Sequence, residues 1–170
     1  ATFWRALGVP LPKPNEVRVS LFCYENLALP ELFSTWAKTN IPILCLAPEG
    51  CVLPQVAAFF ERELVVAGDI LQCGNLEVRI LPFIEQERYD ELLWACDINF
   101  VRGEDSCVRA QWAGKPFVWN IYPQQDNVHI KKLGAFMELY CAGLQPDATQ
   151  ALYSLWKGWN IGHNIGQTAS

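Results

Sequence analysis

Short apolar runs alternate along this chain with longer stretches in which apolar residues recur every three or four positions. Val17–Cys23 closes on three apolar residues and reads as a strand, and Ile43–Ala47 is the unbroken apolar run of a strand buried on both faces. Leu76–Leu81 alternates, and Ile98–Val101 and Phe117–Ile121 are two further short strands, while Gly74-Asn75 separates two apolar stretches. Helical stripes fill the intervals: Leu29, Leu32, Phe33, Trp36 and Ala37 behind Pro30; Leu53, Val56, Ala57, Phe60 and Leu64; Tyr89, Leu92, Leu93 and Cys96. A short helix is expected from about Asp105 to Ala113, stopped by Gly114 and Pro116. Ile130, Leu133, Met137 and Tyr140 mark another helix. A last one carries Ala151, Leu152, Leu155, Trp156 and Trp159, with Asp147 and Gln150 spaced as a capping box. The alternation predicts an α/β domain with a mostly parallel sheet and helices on both faces. Residues 1–16 read as a Pro-rich leading segment or linker, 17–160 as the domain, and 161–170 as a flexible tail.

Composition narrows the functional classes. With 170 residues, 51% hydrophobic and 18% charged, the chain is one globular domain's worth of sequence and not a disordered one. A net charge of −5 argues against binding nucleic acid as a polymer. No apolar run is long enough to span a membrane, and Ala1–Pro14 lacks the charged and apolar regions of a signal peptide. The seven cysteines are odd in number, form no CxxC pair and have only His129 and His163 for company. Most of them lie in apolar strings and read as buried free thiols in a reducing compartment, the cytoplasm, and not as a zinc site.

Ligands of open α/β sheets bind beyond the carboxyl ends of the strands. Tyr24-Glu25-Asn26 follows the first strand, Pro82-Phe83-Ile84-Glu85-Gln86 the Leu76 strand, Arg102-Gly103-Glu104-Asp105-Ser106 the Ile98 strand, and Tyr122-Pro123-Gln124 the Phe117 strand. Aromatic rings, amides, one cation and a carboxylate pair suit a nucleotide-linked ligand. The Arg102 turn opens a helix whose unpaired N–H groups attract an anion, and a guanidinium adds a bidentate phosphate contact. The same residues also fit a capped helix start with an Arg102–Glu104 ion pair. Phe22 reads as core, Tyr24 and Tyr122 as core or ligand contacts, Gln86 as a helix-start neighbour, and His129, Lys131 and Lys132 as surface. Ser106 has no nearby base and lies in no GxSxG turn, and Walker A and GxGxxG signatures are absent.

Ile80–Gln86, Tyr89-Asp90, Leu92–Trp94, Cys96–Ser106, Arg109–Trp119 and Ile121–Gln124, with Ser20–Glu25 before them, together resemble the elongation factor P maturation arginine rhamnosyltransferase family, from about Phe3 to the last helices. The resemblance implies the C-terminal, Rossmann-like half of an inverting GT-B glycosyltransferase that passes L-rhamnose from dTDP-β-L-rhamnose to an arginine of elongation factor P. It implies that Phe22 and Tyr24 are aromatic donor-pocket residues and that Phe83 and Gln86 line the thymine site. Arg102 would neutralise the diphosphate, with Gly103, Glu104, Asp105 and Ser106 completing the cradle and Tyr122 reaching the phosphates or sugar. Glu104 is the residue expected to matter catalytically. The donor is a substrate, and no cofactor or metal is implied. The acceptor site and its activating aspartate belong to the N-terminal half, absent from this chain, so the domain alone is expected to bind donor weakly and transfer nothing. The rival expectation is a non-catalytic α/β interaction module, favoured if aromatics near Trp4, Trp156 and Trp159 form an exposed patch.

Overall fold

The computed structural model describes residues 2–124 and 128–161, and every structural statement concerns these. The strands are β1 (Val17–Leu21), β2 (Ile43–Pro48), β3 (Ile70–Cys73), β4 (Leu76–Leu81), β5 (Ile98–Arg102) and β6 (Phe117–Asn120). The helices are α1 (Thr2–Ala6), α2 (Leu29–Ala37), α3 (Leu53–Phe59), α4 (Gln86–Ala95), α5 (Gly103–Ala113), α6 (Val128–Tyr140) and α7 (Pro146–Ile161). One sheet carries the strands in the order β3-β4-β2-β1-β5-β6, parallel throughout except for the antiparallel β3–β4 pair. With β3 set aside, the parallel strands run in the doubly wound order, and the direction of winding reverses between β1 and β5.

The sequence explains the sheet. All six residues of β2 and all four of β6 are buried, as continuous apolar strands between two helical layers require. Two polar side chains between the central strands pair with each other: Ser20 Oγ donates to Asn99 Oδ1 across β1 and β5 at 2.5 Å, and Asn99 Nδ2 donates to the Leu93 carbonyl. Trp156 and Trp159 of α7 are fully buried, Trp156 against Phe117, Phe136 and Tyr140 and Trp159 against Phe100.

Several expectations are corrected. Parts of the leading segment contact the domain: α1 buries Trp4 beneath the Arg18 guanidinium, 4.4 Å from the ring, and Arg18 also binds Glu16 and the Pro10 carbonyl, while residues 10–15 are exposed. The third helix stops at Phe59, since Glu61 takes a left-handed backbone and Leu64 ends up exposed. An unforeseen edge strand, β3, joins β4 through the Gly74-Asn75 turn. Gly74 is required there by its positive φ and by the Ala37 carbonyl, which a Cβ would strike. The last helix begins at Pro146, so Asp147 lies inside its first turn and does not cap it. His129 is buried, its Nδ1 accepting the Gln124 N–H at 3.1 Å, whereas Lys131 and Lys132 do face solvent. Trp4, Trp156 and Trp159 are themselves buried, whereas Trp94, which lines a cavity with Phe3 and Trp4, is exposed. The expected tail beyond Ile161 lies outside the described residues. Among the described residues no helix is long and apolar enough to cross a membrane.

Candidate functional site

The carboxyl ends of β1 and β5 lie side by side, because Leu21 and Phe100 are register partners. Phe22 and Tyr24 leave one strand and Arg102 ends the other. This is the switch point at which doubly wound sheets receive ligands. The Arg102 guanidinium sits 4.3 Å from the centre of the Phe22 ring and 5.0 Å from that of Tyr24. Its Nη1 lies 2.6 Å from Cys51 Sγ. Among the described residues Arg102 makes no salt bridge, so the expected alternative of an Arg102–Glu104 pair is not formed.

The backbone around this cation is pinned. Gly103 opens α5 with φ +69°, and a Cβ there would stand 3.4 Å from the Tyr24 hydroxyl. The Gly103 carbonyl accepts the Trp119 indole N–H at 2.8 Å, and Asn120 Oδ1 accepts the Tyr24 backbone N–H at 3.1 Å. Tyr122 packs edge-on to Tyr24, with ring centres 5.7 Å apart, and stays more than half exposed. Burial raises the Tyr24 phenol above its ordinary pKa, with Arg102 opposing and Glu104, Tyr122 and Cys51 reinforcing. Glu104 is exposed in the first turn of α5.

Beside the cation lies a cleft of about 180 Å³ lined by Phe22, Pro48, Glu49, Phe83, Ile84, Gln86, Tyr89, Asp105 and Ser106. Phe22 serves both compartments. Phe83 is 75% exposed, and its N–H donates to Glu49 at 3.2 Å. At the inner wall Tyr89 is buried edge-on to Phe22, and its hydroxyl has no hydrogen-bond partner among the described residues. Burial pushes that phenol up strongly, and Ser106 opposes the shift without reaching hydrogen-bond geometry. Gln86 Nε2 donates to Asp105 Oδ2 at 3.1 Å, and Arg109, itself bound to Asp90, donates to the same oxygen at 2.8 Å.

The ten expected site residues therefore fall into two adjoining groups: Tyr24, Arg102, Gly103 and Tyr122 in one, Phe83, Gln86, Asp105 and Ser106 in the other, with Phe22 between them and Glu104 exposed nearby. Sequence reasoning missed Pro48, Glu49 and Cys51, which the strand-end rule finds once it is applied to the second strand as well. It also missed Asn120 and Trp119, which act through single contacts to distant backbone.

The fold is that of the Rossmann-like, C-terminal half of a GT-B glycosyltransferase. A solved structure described as the structural basis for EarP-mediated arginine glycosylation of translation elongation factor EF-P matches it with a TM-score of 0.89 and 41% identity, over 98% of this chain and 52% of that one. The chain belongs to the Elongation-Factor P (EF-P) rhamnosyltransferase EarP family, whose pattern covers residues 1–169. It is 48% identical over 163 residues to the protein-arginine rhamnosyltransferase of Pseudomonas aeruginosa, covering 96% of this chain and 43% of that protein. It is 35% identical to that of Neisseria meningitidis, covering 93% and 42%. The chain thus spans less than half the length of the curated relatives it matches.

Proposed function

We propose that this chain is the donor-binding domain of an inverting, cytoplasmic glycosyltransferase that moves L-rhamnose from dTDP-β-L-rhamnose to an arginine of elongation factor P. The observation that carries the reading is the Arg102 guanidinium, stacked on Phe22 and Tyr24 and without a carboxylate partner among the described residues, at the switch point where α5 begins. A diphosphate placed there meets a fixed cation and the free N–H groups of an 11-residue helix. As the sugar–phosphate bond breaks, negative charge grows on the leaving dTDP, and groups already oriented toward it lower the barrier without reorganising. No metal takes part in this scheme.

The carboxylates beside the anion find roles that do not oppose it. Asp105 is neutralised by Arg109. Glu104, exposed and near Tyr24, is placed in this reading to receive sugar hydroxyls or stabilise charge at the anomeric carbon. Tyr122 approaches the phosphates or sugar. Thymine lies in the cleft between Phe83 and Gln86. A guanidinium acceptor is protonated and delocalised, so carboxylates from another part of the enzyme must polarise it, and the isolated domain binds donor without transferring it.

Calorimetric titration of the chain with dTDP, UDP and ADP tests the reading. Preference for dTDP, with chemical-shift changes centred on the Arg102 turn, supports it. Equal affinities, or changes remote from that turn, refute it. The interaction-module alternative keeps only part of its motive: Trp4, Trp156 and Trp159 are buried, while Trp94, which lines a cavity with Phe3 and Trp4, and Trp112 are exposed.

A further inference from the structure

Two loops bring rings to the site, Tyr24 after β1 and Tyr122 after β6, and both are tied to the last turn of α7. β6 is an end strand of the sheet, paired with β5 alone, so its outer main-chain groups need another partner. Asn160 supplies one. Its Oδ1 accepts the Ile121 N–H at 2.9 Å and its Nδ2 donates to the Trp119 carbonyl at 2.8 Å, as a further strand would. Its Nδ2 also donates to the Trp156 carbonyl one turn back in α7, at 2.8 Å. One acceptor and two donor hydrogens are thus engaged, a set that a carboxylate or a hydroxyl of similar size does not carry. Asn120 lies between the two clamped positions. It is buried, and its Oδ1 accepts the Tyr24 N–H at 3.1 Å, while the chain leaving Ile121 leads directly into Tyr122. The neighbouring residue of α7 holds the other loop: the Trp159 carbonyl accepts buried Asn26 Nδ2 at 2.8 Å. The Asn26 main chain also exchanges two hydrogen bonds with the Gln55 amide, at 2.7 and 3.0 Å. Tyr24 therefore stands between two ties, at Asn120 and Asn26, that both lead to Trp159 and Asn160.

We infer that the last turn of α7 is a clasp for the donor site, with Asn160 and Asn26 as its positioning residues. Asn160 fixes the backbone on both sides of Asn120 and so sets how the Tyr24 and Tyr122 rings meet beside Arg102. Asn26 anchors the far end of the Tyr24 loop to the same turn. This rests on the reading of the two tyrosines as donor contacts. Rings held in place before a ligand arrives need no ordering when it binds, so loosening them weakens binding without removing a single contact residue.

The test measures dTDP binding by calorimetry for the wild-type chain, Asn160→Asp, Asn160→Ala, Tyr122→Ala and the double variant Asn160→Ala/Tyr122→Ala. Asn160→Asp keeps the shape and the acceptor but loses both donor hydrogens, so it should weaken dTDP binding on the order of tenfold, as should Asn160→Ala. Nuclear Overhauser contacts between the Tyr24 and Tyr122 rings should be present in the wild type and fade in both variants, while the amide shifts of β2 and β4 stay in place. In the Tyr122→Ala background, Asn160→Ala should weaken binding by a smaller factor than in the wild type, because part of its effect runs through the ring already removed. A merely structural role would give the same factor in both backgrounds and leave the ring contacts intact, which would overturn the inference. Unchanged dTDP affinity in both single Asn160 variants also overturns it. Should the Asn160 variants not fold, Asn26→Asp cuts the tie to Trp159 and keeps the acceptor for the Ala28 N–H. Weakened dTDP binding with altered ring contacts there supports the clasp, and unchanged binding overturns it. A wild type that binds no dTDP overturns the donor-site reading, and this inference with it.

Discussion

At the scale of single residues, Arg102 concentrates the chemistry. Its planar guanidinium lies over two rings and has no carboxylate partner among the described residues, so Arg102→Ala should leave the fold intact and weaken dTDP binding by about 1.5–3 kcal/mol, the worth of a charge-assisted pair. Arg102→Lys should recover only part of this, because an ammonium neither stacks nor forms two parallel bonds. Calorimetry alongside circular dichroism checks both, and unchanged affinity in the alanine variant would contradict the assignment. Gly103 answers a different demand. Its φ of +69° is unfavourable for any L side chain, and a Cβ would press on the Tyr24 hydroxyl, so Gly103→Ala should cost on the order of 1–2 kcal/mol in urea unfolding. These two residues stood out in the sequence because they end an apolar run with a charge and a glycine. Cys51 and Asn120 did not: Cys51 meets Arg102 across 51 positions of chain and also reaches the Cys23 carbonyl, and Asn120 accepts the Tyr24 N–H across 96. Separations of that size leave no local pattern to read.

At the scale of elements, the strands buried on both faces were legible because burial from two sides demands unbroken apolar runs, as in β2 and β6. What escaped was short or one-sided. The α1 helix has five residues and is held by Trp4 against Arg18, a contact no periodicity records. β3 has four residues, of which only Leu71 is buried. The last helix shows how much a legible stripe can carry. Trp156 packs nearly parallel to Phe136, 5.7 Å between ring centres, and closes the β6 side of the core. Trp156→Ala should destabilise the domain by about 3–5 kcal/mol. Trp156→Phe should cost far less, since it keeps the aromatic packing and removes an indole N–H that has no partner among the described residues. Thermal and denaturant unfolding distinguish the two, and equal losses would contradict this account of the packing.

At the scale of the whole molecule, the cysteines report on how tightly it is closed. Cys23, Cys45, Cys96, Cys107 and Cys141 are buried, and Cys51 and Cys73 are exposed. An alkylating reagent under native conditions should therefore modify Cys51 and Cys73 first, as mass spectrometry would show, and dTDP should shield Cys51 but not Cys73. Burial pushes the Cys96 thiol up to about 12 from an ordinary 9.0, and raises Cys45 well above that ordinary value. Between pH 9 and 12 the unfolded chain releases these protons while the folded one keeps them, so stability falls as pH rises through that window. A urea midpoint no lower at pH 9.5 than at pH 7.5 would contradict this. One shared wall has a further consequence for what evolution can accept here. Because the Phe22 ring lies against Arg102 and also lines the neighbouring cleft, a replacement must satisfy two tenants at once. A saturation library selected for donor binding should tolerate only flat aromatic rings at position 22, whereas Ile84, which lines the cleft and packs against the core, should drift among aliphatic residues.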